Sequence, residues 1–315
     1  MIKTAIPQIE LRRLHRVFEE THAVNDVSFE VSAGEVFGYI GPNGAGKTTS
    51  MRILATLDEP TAGDAFVDGF SVVDDPDRVR RRLGFMPDYF GTYQNVNVKE
   101  YLDFFARAYG LRGTERTKAI AEVMDFTQLD SLANKPIDGL SKGMKQRLCL
   151  GRTMIHNPSV LILDEPAAGL DPRARIELRE MINRLAEAGK AVLISSHILT
   201  ELAEVCDRVG ILEQGRLLAV GSVAEISARV QTQSMVRVRV LEDGERLRDW
   251  LATSADINEL QVDGDLISFT HRGDRDSEAS LLKKIVEASF RVVEFGAQHK
   301  SLEDVFLHVT EGRVQ

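Results

Sequence analysis

The residues between Gly41 and Thr49 have the types and spacing to bind a nucleoside triphosphate. They read GPNGAGKTT, which fits the phosphate-loop pattern G-x-x-x-x-G-K-[ST]. A chain of phosphates needs closely spaced backbone N–H donors, a cation near the β- and γ-phosphates, and a hydroxyl ligand for magnesium. The glycines permit the tight backbone wrap, Lys47 supplies the cation and Thr48 the hydroxyl. The predicted phosphate-binding residues are Gly41, Pro42, Asn43, Gly44, Ala45, Gly46, Lys47, Thr48 and Thr49.

A pair of acidic residues, Asp164 and Glu165, follows the apolar run Val160-Leu161-Ile162-Leu163. That run predicts a buried strand, and the carboxyl ends of such strands are where α/β sheets place their chemistry. Asp164 would hold Mg²⁺ directly or through water, and Glu165 would orient or deprotonate the water that attacks the γ-phosphate. Alone, such a pair is typical of a helix cap or a solvated turn. The phosphate loop in the same chain favours the catalytic interpretation.

Three further motifs have both a structural and a chemical interpretation. Ser141, in Leu140-Ser141-Lys142-Gly143-Met144, can simply cap a helix over 142–155. Asp171, followed by Pro172, can be a carboxylate at a helix N-terminus. His197 follows the apolar strand Ala191-Val192-Leu193-Ile194 and can be structural.

Taken in order, these motifs resemble the nucleotide-binding subunit of an ABC transporter over about residues 9 to 220. The resemblance implies that Ser141 and Gly143 of the signature bind the γ-phosphate held by the opposite subunit. It implies that Asp171 contacts the other subunit's phosphate loop and that His197 contacts the γ-phosphate and the attacking water. The site is therefore expected to be complete only in a homodimer.

Some positions differ from the residues usual in that family. The signature reads LSKGM instead of LSGGQ, which keeps the hydroxyl and the second glycine. Phe18 stands where the family stacks an aromatic ring, more often Tyr, on adenine; the alternative is a core phenylalanine. Asp88 stands where a glutamine usually touches Mg²⁺, and it is shorter and negatively charged. Its alternative is a solvated loop residue.

The strands and helices predicted around these residues indicate an α/β fold. Specifically, the prediction is a P-loop NTPase of ABC type with antiparallel β and helical subdomains, plus a small α+β ferredoxin-like C-terminal domain. The ATPase domain is expected over 1–220, with its helical subdomain at about 87–155, and the accessory domain over 221–315. The helical subdomain has an aromatic face that could receive a permease's coupling helix: Tyr89, Phe90, Tyr93, Tyr101, Phe104 and Phe105.

Past residue 221 the periodicity predicts the order βαββαβ, with strands at 234–241, 257–262, 266–270 and 291–295 and helices at 244–251 and 277–288. A further helix is expected near Leu302. Trp250 and His299 are expected to be packing or surface residues. The closing segment, Ser301-Leu302-Glu303-Asp304-Val305-Phe306, resembles the tail of the type-two exporter subfamily, which exports drugs, lipids and polysaccharides.

The net charge and the lengths of the apolar runs limit the kinds of partner that this chain is expected to bind. The formal net charge of −9 argues against sequence-independent nucleic-acid binding. No apolar run reaches about 18 residues, and the N-terminus lacks the apolar core of a secretory signal. We therefore expect no direct membrane insertion and a cytoplasmic location at the inner face of the membrane through a permease. Cys149 and Cys206 are expected to be reduced core thiols.

Together these features predict an ATP-hydrolysing motor subunit that uses ATP and Mg²⁺, forms a homodimer around two nucleotides, and drives a separately encoded multi-span permease. The alternative is a soluble ABC-type ATPase in assembly, repair or translation. Repair ATPases usually insert coiled coils or zinc modules, and translation factors carry two motif sets; neither feature is present in this sequence. A regulatory ATP sensor is a third possibility.

Overall fold

The computed structural model describes residues 6–89, 91, 95–198, 202, 204–230, 234–254, 256–273 and 275–298. The chain divides into two compact units, one ending at Val223 and the other beginning at Ala224. The boundary expected at residue 220 and the limits of the helical subdomain stay predictions.

The first unit contains two sheets. Its strands are β1 (Ile9–Phe18), β2 (Thr21–Val31), β3 (Val36–Ile40), β4 (Ala62–Val67), β5 (Phe70–Ser71), β6 (Leu83–Met86), β7 (Val160–Leu163), β8 (Ala191–Ser196), β9 (Arg208–Glu213) and β10 (Arg216–Gly221). One sheet has the order β2-β1-β4-β5 and is antiparallel. The other has the order β10-β9-β3-β8-β7-β6 and is parallel except for the β10–β9 pair.

Every residue of β3, β7 and β8 is buried. Strands covered on both faces read as continuous apolar runs, which is why the sequence predicts β3 and β7 with their observed bounds. The helices around the sheets are α1 (Lys47–Leu54), α2 (Pro76–Arg82), α3 (Val98–Ala108), α4 (Gly113–Phe126), α5 (Lys142–Met154) and α6 (Pro172–Glu187), and α7 (Val223–Val230) lies where the two units divide.

Helices α3, α4 and α5 pack around a separate apolar cluster. It includes Val98, Leu102 and Leu148, all fully buried. α3 begins with a capping box, because Asn97 and Glu100 each accept a hydrogen bond from the other's backbone N–H. This cluster matches the helix-rich stretch expected between the phosphate loop and the acidic pair.

The predicted aromatic face of this region does not act as one surface. Tyr101 is 1% exposed and belongs to the core, whereas Tyr89 and Phe104 are 74% and 56% exposed. Phe105 packs partly buried against the same cluster. The expected positions Phe90 and Tyr93 lie outside the described residues. Helical spacing alone could not separate these roles, because residues three apart lie on nearly the same face of a helix. The packing around α3 decides that Tyr101 is buried and Phe104 exposed.

The second unit has the predicted order βαββαβ. Its elements are β11 (Ser234–Val240), α8 (Gly244–Leu251), β12 (Ile257–Asp263), β13 (Leu266–His271), α9 (Arg275–Glu287) and β14 (Val292–Gln298). The antiparallel sheet has the order β12-β13-β11-β14, which is the ferredoxin-like arrangement. Trp250 packs against Phe290, with ring centroids 6.0 Å apart, so it is a packing residue as expected. The helix predicted near Leu302, His299 and the closing segment 301–306 lie outside the described residues.

Two further expectations concern the thiols and the membrane. Both cysteines are free; Cys149 is buried, but Cys206 is only partly buried. The Cys206 sulfur nevertheless packs against Gly38 of β3, where an added Cβ would lie 2.9 Å from it, and burial raises the pKa of this thiol. Both thiols therefore agree with the prediction of core cysteines. Among the residues that the structure describes, no helix has the length and apolarity needed to cross a bilayer.

His156, just after α5, makes the stability of the first unit depend on pH. Its ring stacks on Tyr109 with centroids 3.7 Å apart, and Nε2 lies 3.1 Å from the carbonyl oxygen of Leu83. Burial lowers the pKa of His156 from 6.5 to about 4. Between these values the unfolded chain binds a proton that the folded protein does not, so stability is lost as the pH falls through this window.

We expect the free energy of unfolding to fall by about 2 kcal/mol more between pH 7.5 and pH 5 in the wild type than in His156→Gln, which cannot titrate. Urea denaturation at both pH values measures the difference. Other groups titrate equally in both proteins, so parallel losses would contradict the role of His156.

Candidate active site

The phosphate loop connects β3 to α1 and is held in a conformation that requires glycine. Gly44 and Gly46 have φ angles of 81° and 101°, in the region that side chains disfavour. A Cβ added at Gly46 would lie 2.1 Å from the carbonyl oxygen of Ala23, and one at Gly41 would lie 2.2 Å from that of Leu212. The loop therefore wraps closely under neighbouring backbone. Thr48 and Thr49 lie in the first turn of α1, and Pro42, Asn43 and Ala45 lie in the loop itself.

Lys47 is buried at the start of α1, with 5% of the residue exposed. Its Nζ donates to the carbonyl oxygens of Gly41 and Pro42, at 2.6 and 3.1 Å, and lies 3.8 Å from Glu165 Oε1. Burial lowers the pKa of Lys47, while the carboxylates of Glu165 and Asp164 oppose that shift. A buried ammonium beside the loop is therefore available to an anionic ligand.

Asp164 is 1% exposed at the end of β7. Its Oδ1 accepts a hydrogen bond of 2.5 Å from Ser195 Oγ, whereas its buried Oδ2 has no hydrogen-bond partner among the described residues. Burial raises the pKa of Asp164, the Ser195 and Thr48 hydroxyls lower it, and Asp88 and Glu165 raise it. A buried carboxylate oxygen without a donor, beside a hydroxyl and further carboxylates, fits a bound divalent cation.

Glu165 connects the phosphate loop to the strand-end histidine. Its φ angle is 47°, an uncommon conformation for any residue but glycine. Its N–H donates to Ser195 Oγ at 2.8 Å, and its Oε2 lies 2.9 Å from His197 Nδ1. The structure therefore brings together Lys47, Asp164, Glu165 and His197, as the sequence predicts.

The residue that sequence reasoning missed is Ser195. It belongs to the Ser195-Ser196-His197 motif, in which only the histidine was assigned a role. Its place follows from strand pairing, which no local sequence pattern shows: β7 and β8 are adjacent and Leu163 pairs with Ile194, so the residue after Ile194 lies beside Asp164.

Ser141, Gly143 and Asp171 lie apart from this group in the single chain. Ser141 Oγ accepts the Met144 N–H at 3.3 Å and so caps α5. Asp171 Oδ1 accepts the Ala174 N–H at 3.0 Å and so caps α6. Within the described residues, no hydrogen bond or ion pair links these three residues to the phosphate loop. Their capping roles are present, and contacts across a dimer stay predictions.

The exposure of Phe18 and of Asp88 bears on the two interpretations given for each of them. Phe18 is 43% exposed at the end of β1, with the Arg16 guanidinium 4.3 Å from its ring centroid. It is therefore not a core residue, and adenine stacking stays a prediction. Asp88 is exposed in the turn after β6, yet it lies close enough to raise the pKa of Asp164. Its predicted role toward Mg²⁺ is compatible with that position.

Known proteins are similar to this chain in sequence and in fold. A family described as "ABC transporter" matches residues 24–168, and the C-terminal domain of DrrA1-3-like ATP-binding proteins matches residues 221–310. Nod factor export ATP-binding protein I of Burkholderia thailandensis is 33% identical over 315 residues, covering 99% of each chain. The chain belongs to the ATP-binding proteins of ABC transporters.

Two other ABC proteins extend the comparison. YbhF of Escherichia coli K12, a probable multidrug ABC transporter ATP-binding protein, is 38% identical over 221 residues, which cover 70% of this chain but only 38% of YbhF. The dimeric structure of MJ0796, a bacterial ABC transporter cassette, superposes with a TM-score of 0.62 at 27% identity and covers 68% of this chain and 98% of that one. The resemblance and the fold class stated from sequence are confirmed, and so is the prediction of an ATP-binding ABC ATPase at the level of the family.

The need for glycine in the phosphate loop of this ABC protein can be tested by comparing two glycine-to-alanine variants. Gly46→Ala adds a methyl group against the Ala23 carbonyl oxygen in a left-handed conformation. Gly189 has a similar φ of 83° but nothing within 4 Å of an added Cβ, so Gly189→Ala is the matched control.

We expect Gly189→Ala to lose about 1 kcal/mol of stability and to keep wild-type ATP affinity. Gly46→Ala should lose more stability and at least about tenfold in ATP affinity, because the loop cannot keep its wrap. Thermal unfolding and titration with a fluorescent ATP analogue measure both. Equal ATP affinities in the two variants would contradict the role of the loop.

Proposed function

We propose that this chain is the ATP-hydrolysing motor subunit of an ABC exporter, and that it dimerises around two ATP molecules and drives a separately encoded multi-span permease. The observation that carries the proposal is the contact of Glu165 with both Lys47 and His197, beside the buried Asp164. Phosphoryl transfer depends mainly on positioning and on stabilising charge, and this group can do both.

In the proposed mechanism, the loop N–H groups and the N-terminus of α1 receive the phosphates. The Lys47 ammonium exchanges its carbonyl partners for oxygens of the β- and γ-phosphates. Thr48, Asp164 and Asp88 would hold Mg²⁺, which when bound neutralises charge on the phosphate oxygens. Phe18 offers its exposed ring to adenine.

Hydrolysis then uses the two residues that meet at 2.9 Å. Glu165 orients a water molecule and accepts its proton as the oxygen attacks the γ-phosphorus, and the bond to the ADP oxygen breaks. His197 holds the Glu165 carboxylate and hydrogen-bonds the γ-phosphate. The products are ADP and phosphate.

The proposed homodimer completes each site with the partner's signature and aspartate loop. Ser141 and Gly143 at the N-terminus of α5 would contact the γ-phosphate bound by the other subunit, and Asp171 would contact its phosphate loop. The dimeric state of MJ0796, named in its structure, supports this arrangement. Lys142 and Met144 leave the hydroxyl and Gly143 of the signature in place.

Export is favoured by the relatives, which are described as a Nod factor export protein and a probable multidrug transporter protein. Drugs, lipids and polysaccharides are the proposed substrate classes. The chain would be cytoplasmic and held at the inner face of the membrane by its permease, without inserting itself and without binding nucleic acid. The alternative, a soluble ABC-type ATPase in assembly, repair or translation, has no relative among those compared above.

Affinity purification from gently solubilised cells, followed by an ATPase assay, tests the proposal. A co-purifying multi-span membrane protein that stimulates hydrolysis is the expected result. Recovery from the cytosol alone, or with a soluble assembly and no stimulation, would favour the soluble ATPase instead. Nucleotide-driven dimers without stimulation by a permease would favour a regulatory ATP sensor.

The position of Asp88 predicts that its removal lowers Mg²⁺-dependent turnover more than ATP binding. Asp88→Ala should lower Mg²⁺-dependent turnover by about tenfold while ATP affinity without metal changes little, because the carboxylate acts through the cation. Asp88→Gln, which places the family's usual amide there, should retain most of the turnover. Steady-state hydrolysis across Mg²⁺ concentrations and metal-free binding separate the effects. Equal loss of binding and turnover in Asp88→Ala would rule out the metal role.

The dimer can be trapped if Glu165 is the general base. Glu165→Gln should bind ATP without hydrolysing it and should accumulate as a dimer in saturating Mg-ATP. Glu187→Gln removes an exposed carboxylate at the end of α6 and serves as the control that remains in the wild-type equilibrium. Light scattering coupled to size-exclusion chromatography measures the masses. A Glu165→Gln protein that stays monomeric would count against the proposed dimer.

A further inference from the structure

Ser195 is completely buried in β8, with 0% exposure. It lies next to the end of β7, because Leu163 pairs with Ile194 in the parallel ladder. The side chain is thus presented to the first residues that leave β7, namely Asp164 and Glu165.

One hydroxyl group joins both acidic residues. Ser195 Oγ donates to Asp164 Oδ1 at 2.5 Å and accepts the backbone N–H of Glu165 at 2.8 Å. A serine hydroxyl has one donor and can accept at the same time. Because Asp164 Oδ1 is occupied by this donor, Oδ2 is the carboxylate oxygen that stays free.

The hydrogen bond from the Glu165 N–H to Ser195 Oγ holds a residue that has an unfavourable backbone conformation. Glu165 has a φ angle of 47°, which a residue with a side chain keeps only when its surroundings stabilise it. In this conformation Glu165 Oε2 lies 2.9 Å from His197 Nδ1, and Oε1 lies 3.8 Å from Lys47 Nζ. The direction of the side chain therefore depends on the backbone that Ser195 holds.

We propose that Ser195 is a positioning residue, whose hydroxyl holds the Asp164 carboxylate and the left-handed Glu165 backbone in the arrangement that hydrolysis needs. This role rests on the proposed function of Glu165. Ser195 acts through its two hydrogen-bonded neighbours, Asp164 and Glu165.

Ser195→Ala removes the hydroxyl and little else. We expect kcat for ATP hydrolysis to fall by about 10- to 100-fold, the effect of one hydrogen bond to a charged group, while KM changes by less than about threefold. Ser71→Ala is the matched control: Ser71 in β5 is also buried, at 7% exposure, and its Oγ likewise donates to a carboxylate, Asp64 Oδ2 at 2.7 Å, and accepts a backbone N–H, that of Val73 at 3.1 Å, but in the other sheet. It should hydrolyse ATP like the wild type.

A second pair of variants separates the hydroxyl from packing. Ser195→Thr and Ser195→Val add side chains of the same shape, of which only threonine keeps the hydroxyl. Both variants add the same methyl group, so the cost of fitting it into the buried site is common to the two. Threonine should restore most of the activity and valine should not. This comparison remains decisive if Ser195→Ala unfolds, and melting temperatures identify that case.

Hydrogen exchange gives a readout independent of hydrolysis. Without nucleotide, the Glu165 amide should exchange faster in Ser195→Ala and Ser195→Val than in the wild type, Ser195→Thr and Ser71→Ala. Equal kcat and equal amide exchange in Ser195→Thr and Ser195→Val would overturn the role of Ser195. A wild-type protein without ATPase activity would instead overturn the proposed function, and the exchange rates would still decide whether Ser195 holds Glu165.

Discussion

The register of the parallel ladder is the constraint on which the site depends. Leu163 pairs with both Met86 and Ile194, and Ile40 pairs with Ser196. The chain therefore leaves four neighbouring strands at one edge of the sheet, where the loops carry the phosphate-binding lysine, the acidic pair, Asp88 and His197. A slip of one residue in any strand would turn its side chains to the opposite face. The full burial of β3, β7 and β8 prevents such a slip, because it would place apolar side chains against different neighbours.

Burial at that edge also determines the electrostatics. Removing Lys47 and Asp164 from water favours their neutral forms, so the pKa of the lysine is lowered and that of the aspartate is raised. The carboxylates near Lys47 and the hydroxyl groups near Asp164 oppose these shifts. The free Oδ2 of Asp164 and the carbonyl-bound Lys47 ammonium are complementary to a cation and to phosphates, respectively. Under the proposed function, these two groups would bind a triphosphate together with its metal ion.

Within one chain, Lys142 of the signature lies against the turn that precedes Asp171, a contact that the sequence does not show. A Cβ added at Gly169 would lie 2.3 Å from Lys142 Nζ, so the lysine that replaces a signature glycine lies over the turn before Asp171. The two helix caps, Ser141 and Asp171, are thereby placed on neighbouring segments. The second unit has its own apolar core around Val236, Val238 and Phe269, which is why its elements could be recognised without reference to the first.

The sequence by itself determined the local features. The phosphate loop, the buried strands β3 and β7 and helix α8 follow from glycine positions and hydrophobic periodicity, which short stretches of chain carry in full. Tertiary structure decided what depends on distant residues: the place of Ser195 beside Asp164, the left-handed Glu165 and the exposure of Phe18. Ser195 and Asp164 are far apart in the chain and meet only because β7 and β8 pair. Local patterns do not specify such a contact, because strand order and register are set by the packing of the whole sheet.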